Sequence, residues 1–189
     1  MHLVIDIANR ISPVAEAHLQ PLQPCMVQHS VVATDHLFHE GDINDTEYFV
    51  LSGLLRSYVI SHDGCDITLG FYSGPCIFSP SVTRCSDGKS RIHCEALQDT
   101  TVVSFAFSSL VHLMQKDNIV QAWGDAVLRQ DLLARAQREW VLATMSGADK
   151  LAEFRKTYEN LEQQVPHYHI ASFLGITPVT LSRLRKAYA

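Results

Sequence analysis

The sequence predicts an α+β fold in three consecutive parts: an N-terminal β-roll (a double-stranded jelly roll), a long helix, and a C-terminal pair of short helices. Three observations support this prediction. Residues 27–107 carry short runs rich in Val, Ile, Phe and Tyr, a proline-free stretch covers about 119–145, and a glycine closely followed by Thr-Pro interrupts the last 24 residues. We expect residues 1–107 to form the roll with a short N-terminal helix, residues 108–145 a connecting helix and the long helix, and residues 146–189 the terminal helical domain.

Turn signals built on Gly, Asp, Ser and Pro divide the first part into strands of similar length. We expect strands at residues 27–33, 48–51, 54–60, 67–71, 92–96 and 101–105. Strands of this composition and spacing are typical of a barrel or a two-sheet roll. Before them, residues 10–22 have a helical pattern that Pro13 interrupts and Pro21 closes.

The second part is predicted to hold a short helix over 110–115 and a long one over 119–145. Apolar residues recur along the long helix in alternating steps of three and four, with Arg129 as the one polar residue among them. This coiled-coil-like stripe predicts a dimer interface. Its members are Ile119, Ala122, Ala126, Leu133, Ala136, Trp140 and Ala143. The alternative is a stripe that packs on the roll, but some 27 residues span about 40 Å, which exceeds what a small roll covers.

The last part begins with a helix over about 149–163 and continues after Pro166 as helix, turn, helix. Gly175 suits the left-handed residue that ends a helix, Thr177 is a good N-cap, and Pro178 fits the first helical position. The second helix is predicted over 177–188, with Leu181 and Leu184 buried. The alternative is an amphipathic hairpin with a solvated basic face.

Composition bounds the classes of protein that remain. Of the 189 residues, 47% are hydrophobic and 19% charged, which excludes a disordered chain. No 18-residue apolar run exists, so no membrane span is expected, and Asp6 in the first apolar run argues against a secretory signal. Five cysteines without a Cys-x-x-Cys pair predict a reduced, cytoplasmic location.

Charge is distributed unevenly along the chain, whose net charge is −5. Residues 1–150 carry −7, residues 151–189 carry +2, and no acid follows Pro166. An acidic body with a basic end predicts that this end meets an anionic partner. Helix N-termini bind phosphates and a guanidinium fits guanine bidentately, so the second short helix is predicted to read DNA.

Several blocks, in this order and spacing, resemble the CRP/FNR superfamily of bacterial transcription regulators over residues 25–189. They are Leu-Phe-His-Glu-Gly-Asp (37–42), Tyr-Phe-Val-Leu-Ser-Gly-Leu-Leu-Arg (48–56), Asp-Gly (63–64), the run 93–105, and Ile-Ala-Ser-Phe-Leu-Gly-Ile-Thr-Pro-Val-Thr-Leu-Ser-Arg-Leu-Arg (170–185). The resemblance implies a cyclic-nucleotide-binding-type roll, a homodimer, double-stranded DNA and RNA polymerase as partners, and no enzymatic activity.

Within this resemblance, Arg183 is expected to read a base and Val179 to contact a thymine methyl. Base-reading Arg and Glu of the superfamily correspond to Pro178 and Val179 here, so the preferred DNA sequence should differ. No β-wing follows the helix, which predicts modest, salt-sensitive affinity. The remaining candidates are expected to position the helix on phosphates: Thr177, Thr180, Ser182, Arg185 and Lys186.

The phosphate-binding cassette of cyclic-AMP-binding members is degenerate in residues 74–91. Phe78-Ser79-Pro80 stands where Gly-Glu is expected, and the Arg-Ser pair is approximated only by Lys89-Ser90 or by Arg91. Because a buried phosphate needs a paired cation, we expect the roll to bind another small molecule, or none, and keep a cyclic nucleotide as the less favoured alternative. The candidate effector residues are Phe71, Ile77, Phe78, Ser79, Ser81, Lys89, Ser90 and Arg91.

Other functions are less consistent with the sequence. The pairs His36/His39 and His167/His169 are expected to be ordinary histidines. A metal-dependent cupin enzyme needs a His-x-His with a glutamate a few residues on as well as a further histidine on a later strand, a combination that the sequence lacks. No metal site is predicted. Cys25 alone does not make an iron–sulfur site, nothing supports haem, and the acids at 40, 42, 45 and 47 are expected to form a solvated loop rather than a calcium site. A regulator that acts through protein contacts, with a vestigial DNA module, is the remaining alternative.

Overall fold

The computed structural model describes residues 1–187, whose eight strands form two four-stranded antiparallel sheets. The first sheet has the order β1 (Val27–Val31), β8 (Thr100–Ala106), β3 (Thr46–Ser52) and β6 (Cys76–Phe78). The second has the order β2 (His36–Phe38), β7 (His93–Ala96), β4 (Leu54–Ile60) and β5 (Asp66–Ser73). The predicted roll is confirmed, since all six predicted strands are present with shifted ends.

Strands β2 and β6 were not predicted. Each has only three residues, which is too short to show an alternating pattern. Pairing with a longer strand stabilises each of them. Phe38 of β2 lies opposite Cys94 of β7, and Phe78 of β6 lies opposite Tyr48 of β3.

The N-terminal helix lies elsewhere than predicted. Helix α1 (His2–Asn9) precedes the predicted segment, and α2 (Glu16–Leu19) and a 3-10 helix (Gln20–Cys25) are the only helices within residues 10–25. The side chain of Asn9 explains the break, since its Oδ1 accepts a hydrogen bond from Val14 N at 2.8 Å. The apolar run that holds Asp6 is therefore a helix with one buried face.

Helices dominate after the roll. They are α3 (Phe107–Met114), α4 (Asn118–Thr144), α5 (Gly147–Thr157), α6 (Leu161–Gln164), α7 (His167–Leu174) and α8 (Pro178–Ala187). The long helix is confirmed. The single helix predicted over 149–163 is wrong, because the chain leaves helical geometry at Tyr158 and Asn160 is left-handed, with φ +62°. The predicted end of the last helix, Tyr188, lies outside the described residues.

The described chain divides into two compact units. The first comprises residues 1–57 and 71–131, and the second comprises residues 58–70 and 132–187. The first unit contains a core cluster in which Phe49 stacks on Phe105 and Trp123. Trp123 Nε1 donates to Ala8 O at 3.1 Å, which ties α4 to α1 within this unit. The three-part division made from the sequence stays a prediction.

None of the helices within residues 1–187 combines the length and apolar character that crossing a bilayer requires.

Candidate nucleic-acid interface

Helices α7 and α8 form the predicted helix-turn-helix in the second unit. Gly175 ends α7 in the left-handed region, with φ +63°, and Thr177 Oγ1 accepts a hydrogen bond from Thr180 N at 3.1 Å as the cap of α8. Ala171 and Leu181 are fully buried where the two helices meet. Leu184, predicted to be buried, is half-buried.

The exposed surface of α8 and its cap carries most of the predicted DNA contacts. Arg183 and Lys186 are exposed, so the condition on which the prediction depends, that these cations face solvent, is met. The other exposed candidates are Thr177, Pro178, Val179, Thr180 and Ser182. Of these, Thr180 is already bonded through its hydroxyl to Thr177 Oγ1 at 2.9 Å.

Arg185 differs from the other candidates because it is held by an acid. Its Nε lies 2.7 Å from Glu162 Oε1, and its Nη1 lies against the ring of His167. Glu162 is also bound by Arg155, whose Nε lies 2.6 Å from Glu162 Oε2. The hydrogen bond from Arg155, more than any other interaction, lowers the pKa of Glu162 from its ordinary value, so the carboxylate is ionised at neutral pH. We call Arg155, Glu162 and Arg185 the Glu162 cluster.

The stripe predicted along α4 faces solvent. Ile119, Leu133 and Trp140 are 47%, 64% and 53% exposed, and Ala122 and Ala136 are also exposed. Ala126 is half-buried. Leu128 and Leu132, which the stripe omitted, are 51% and 63% exposed. Large apolar side chains repeated on one helix are a feature of surfaces that another protein covers.

Four aromatic rings fill the space between the two sheets of the roll. Phe78 lies at ring-centroid distances of 6.1, 5.9 and 4.2 Å from Phe38, Tyr48 and Tyr72, which come from both sheets. Phe78 is 1% exposed, and burial raises the pKa of Tyr48 to about 12. At this point the interior of the roll is therefore occupied by aromatic rings.

The candidate effector residues do not form one site. Phe71 and Phe78 are buried within the roll, while Ile77, Ser79 and Ser81 line a cavity beside α3 and α4. The other three lie in the loop that follows. Lys89 and Arg91 are exposed, and Ser90 is buried with its hydroxyl donating to Ile92 O at 2.8 Å.

Two buried arginines of the first unit are each paired with a carboxylate. Arg56 Nη1 lies 2.6 Å from Glu95 Oε1, and Arg84 Nη2 lies 2.7 Å from Glu47 Oε1. Burial raises the pKa of Glu47 more than its bonds to Ser79 and Arg84 lower it. The prediction of a solvated loop is therefore wrong for Glu47, whose side chain is 3% exposed.

The roll brings three histidines together, two of which formed a predicted pair. The ring of His36 lies 4.3 Å from that of His39 and 6.3 Å from that of His93. The pKa of His36 is lowered, first by burial and then by repulsion from His39. Within residues 1–187, no three His, Cys, Asp or Glu side chains are arranged to hold a metal ion.

Comparisons with known proteins agree with this architecture. Residues 28–117 match the cyclic nucleotide-binding domain family. FixK2 from Bradyrhizobium japonicum is 21% identical, with a TM-score of 0.74 over 86% of this chain and 83% of its own. The c-di-GMP-responsive global regulator CLP from Xanthomonas campestris is 15% identical, with a TM-score of 0.72 over 92% and 91%. No curated protein matches the sequence.

A third structure decides which fold this is. A Eubacterium rectale protein assigned to the CRP/FNR family of transcriptional regulators is 18% identical, with a TM-score of 0.69 over 93% of this chain and 83% of its own. This chain has the CRP/FNR fold. The fold implied by the resemblance is therefore confirmed.

Two features of this CRP/FNR fold were missed by sequence reasoning. The Glu162 cluster was missed because residues 149–163 were predicted as one helix, although an acid seven residues after Arg155 is visible in the sequence. The pair of Glu47 and Arg84 was missed because its members are 37 residues apart and only strand pairing brings them together.

Proposed function

We propose that this protein is a homodimeric regulator that binds DNA in a sequence-specific way and responds to a small molecule. The observation that carries this proposal is the exposed, capped helix α8, which presents Arg183 and Lys186 without a neighbouring acid on its own segment. Its first turn directs backbone N–H groups outward at Thr177, where they suit a phosphate.

Within this proposal, Arg183 reads a base edge and most other exposed residues of α8 position the helix. The second helix of a helix-turn-helix lies in the major groove, and a single arginine near its middle can contact guanine bidentately. Thr177, Ser182 and Lys186 supply donors for phosphate oxygens. Arg185 contributes less than its charge suggests, because an ion pair with Glu162 holds its guanidinium.

The exposed stripe on α4 supports the dimer. Two copies joined along this helix would present two α8 helices, which fits half-sites about 34 Å apart on a palindromic duplex. The predicted interface residues are Ile119, Ala122, Ala126, Leu133, Ala136 and Trp140. Contact with RNA polymerase stays a prediction from the resemblance.

We propose that the roll responds to a ligand other than a cyclic nucleotide, although the matching family is named for that ligand. An anionic phosphate in a buried site needs a cation of its own. In the first unit, the buried guanidiniums of Arg56 and Arg84 are already paired with carboxylates. Lys89 and Arg91, the predicted substitutes, are exposed, and Phe78 is packed against the ring of Tyr72. We therefore propose a different effector.

Selection from a random duplex library tests DNA binding directly. An enriched palindrome is expected, and Arg183→Ala should weaken binding to the selected site by about 1–3 kcal/mol and relax one base position. Lys156→Ala, which removes an exposed cation from α5, is the matched control and should leave that base preference intact. Parent-like affinity and preference in Arg183→Ala would exclude the assigned role.

The alternative, regulation through protein contacts with a vestigial DNA module, predicts that no duplex is enriched with or without a small molecule. The exposed stripe on α4 is compatible with both functions, so only the selection distinguishes them.

A further inference from the structure

A cavity of about 310 Å³ lies in the first unit, outside the space between the two sheets. Strand β6 separates the two spaces, because successive side chains of a strand point to opposite faces. Phe78 points to the aromatic rings between the sheets, whereas its neighbours Ile77 and Ser79 line the cavity. Helix α3 and the first half of α4 form the other walls.

Most of the lining of this cavity is apolar. Phe105, Met114, Trp123 and Val127 are among its apolar walls. Glu47, Ser79 and Ser81 form a polar end, where the two serine hydroxyls lie 2.9 Å apart. The other polar lining residues are exposed to solvent: Gln115, Gln121 and Asp125. A cavity of this size with a small group of convergent polar atoms is typical of small-molecule sites.

The charges at the polar end decide which ligand fits. The carboxylate of Glu47 is 3% exposed and is paired with Arg84 at 2.7 Å, so this end carries no net charge. An ionised ligand group placed at this end would have to be desolvated without a counter-ion of its own, which is costly. A hydroxyl can exchange hydrogen bonds with Ser79 and Ser81 without that cost.

We propose that this cavity binds a mostly apolar small molecule that directs one uncharged hydroxyl toward Ser79 and Ser81. The ligand body would lie against Trp123 and Met114. Helix α4 is one wall of the site, so the ligand would contact the same helix that carries the proposed dimer stripe. The proposal concerns ligand binding alone and stands or falls separately from DNA binding.

Met114 packs closely against Gly124 of α4 at the cavity wall, and movement of its flexible side chain would enlarge the cavity for a ligand. A Cβ added at Gly124 would lie 2.8 Å from Met114 Cε and 2.9 Å from its Sδ. The glycine therefore allows a flexible thioether to rest against the helix at the cavity wall. Methionine adapts its shape at little cost, as binding of a ligand would require.

Methyl NMR of the full-length protein, labelled with 13C at its methionine methyls, tests the proposal with 2-naphthol as the probe. The chain has four methionines, and Met114→Leu assigns the reporting signal. We expect a saturable shift of the Met114 methyl, caused by the aromatic ring current, and no shift of Met145, which lies in the second unit. Cyclic AMP, tested in parallel, should shift neither signal.

Variants that fill the cavity make the test specific. Val127→Phe should weaken 2-naphthol binding by about tenfold or more, because its ring occupies the ligand's space. Val111→Phe introduces the same ring from α3, so the result does not depend on one variant folding. Gln130→Phe, an exposed position on α4 outside the cavity, is the matched control and should bind like the parent.

Three results would overturn the proposal. The first is a Met114 methyl that does not respond to 2-naphthol up to its solubility limit. The second is an equal response in Val127→Phe and the parent. The third is a Met114 shift that follows protein concentration alone, which would assign the cavity to a second copy of the chain.

Discussion

Glu162→Gln is expected to strengthen DNA binding and to make it more sensitive to salt. In the native protein an ion pair with Glu162 holds Arg185, whose Nε lies 2.7 Å from the carboxylate. Glutamine has nearly the same shape but no charge, so Arg185 becomes available to a phosphate. The two arginines of the Glu162 cluster are 34% and 33% exposed, so solvent screens the pair and its loss should cost only about 1 kcal/mol or less of stability.

The magnitude follows from counterion release. Each additional phosphate contact steepens the plot of log K against log salt by about 0.9, and a dimer gains two contacts, or about 1.8 in slope. Between 50 and 200 mM salt, that slope corresponds to about a tenfold additional loss of affinity relative to the parent. Fluorescence anisotropy of a labelled duplex over this salt range measures it.

Two controls separate the pairing from the general change in charge. Glu159→Gln removes an exposed carboxylate three residues earlier and should change the slope much less. Arg185→Ala should change the slope little in the parent but should abolish the gain when combined with Glu162→Gln. Equal slopes for Glu162→Gln and Glu159→Gln would refute the reasoning, because the effect would then not depend on Arg185.

Three further predictions concern stability and assembly. Burial raises the pKa of Glu47, so the folded state binds the proton of this carboxyl more readily than the unfolded state does. The free energy of unfolding should therefore fall as pH rises above 4.5, the ordinary pKa. In Glu47→Gln, the free energy measured by urea unfolding should depend less on pH in that range. Gly53→Ala should lower the free energy of unfolding by about 2–4 kcal/mol in a thermal unfolding experiment, because its φ is +91° and the added Cβ would lie 2.4 Å from Asp99 O. Gly64→Ala, where φ is +76° but the space is open, should lower it by only about 1–2 kcal/mol. Leu133→Glu on the exposed stripe should reduce the mass measured by light scattering to that of one 21.1 kDa chain, whereas Ala134→Glu should leave it dimeric.

Periodic and capped elements were predictable from the sequence. The long helix α4 was found because one apolar stripe repeats over 27 residues, and α8 because Gly175, Thr177 and Pro178 mark the ends of the two short helices. These signals are local, so tertiary packing does not alter them. The location of the N-terminal helix was not predictable in the same way. The side chain of Asn9 ends α1 by accepting a hydrogen bond from Val14 N, before Pro13 could break the helix.

The candidate site was predictable in part. Exposure of Arg183 and Lys186 followed from the amphipathic pattern of α8, since the opposite face must bury Leu181. Pairing of Arg185 did not follow, because Glu162 belongs to a separate short helix. Two of the predicted effector residues, Phe78 and Ser79, are neighbours in the sequence. They face different spaces because successive side chains along a strand point to opposite faces.

The amino-acid sequence by itself determined the order of roll, long helix and helix-turn-helix, since each depends on residue patterns within a few turns or strands. Only the tertiary structure decided which charges are neutralised and which spaces stay open. Glu47 meets Arg84 across 37 residues, and the cavity beside Trp123 exists because β6 and two helices enclose it. The physical reason is that burial and charge pairing depend on which distant segments meet, and no local pattern records that.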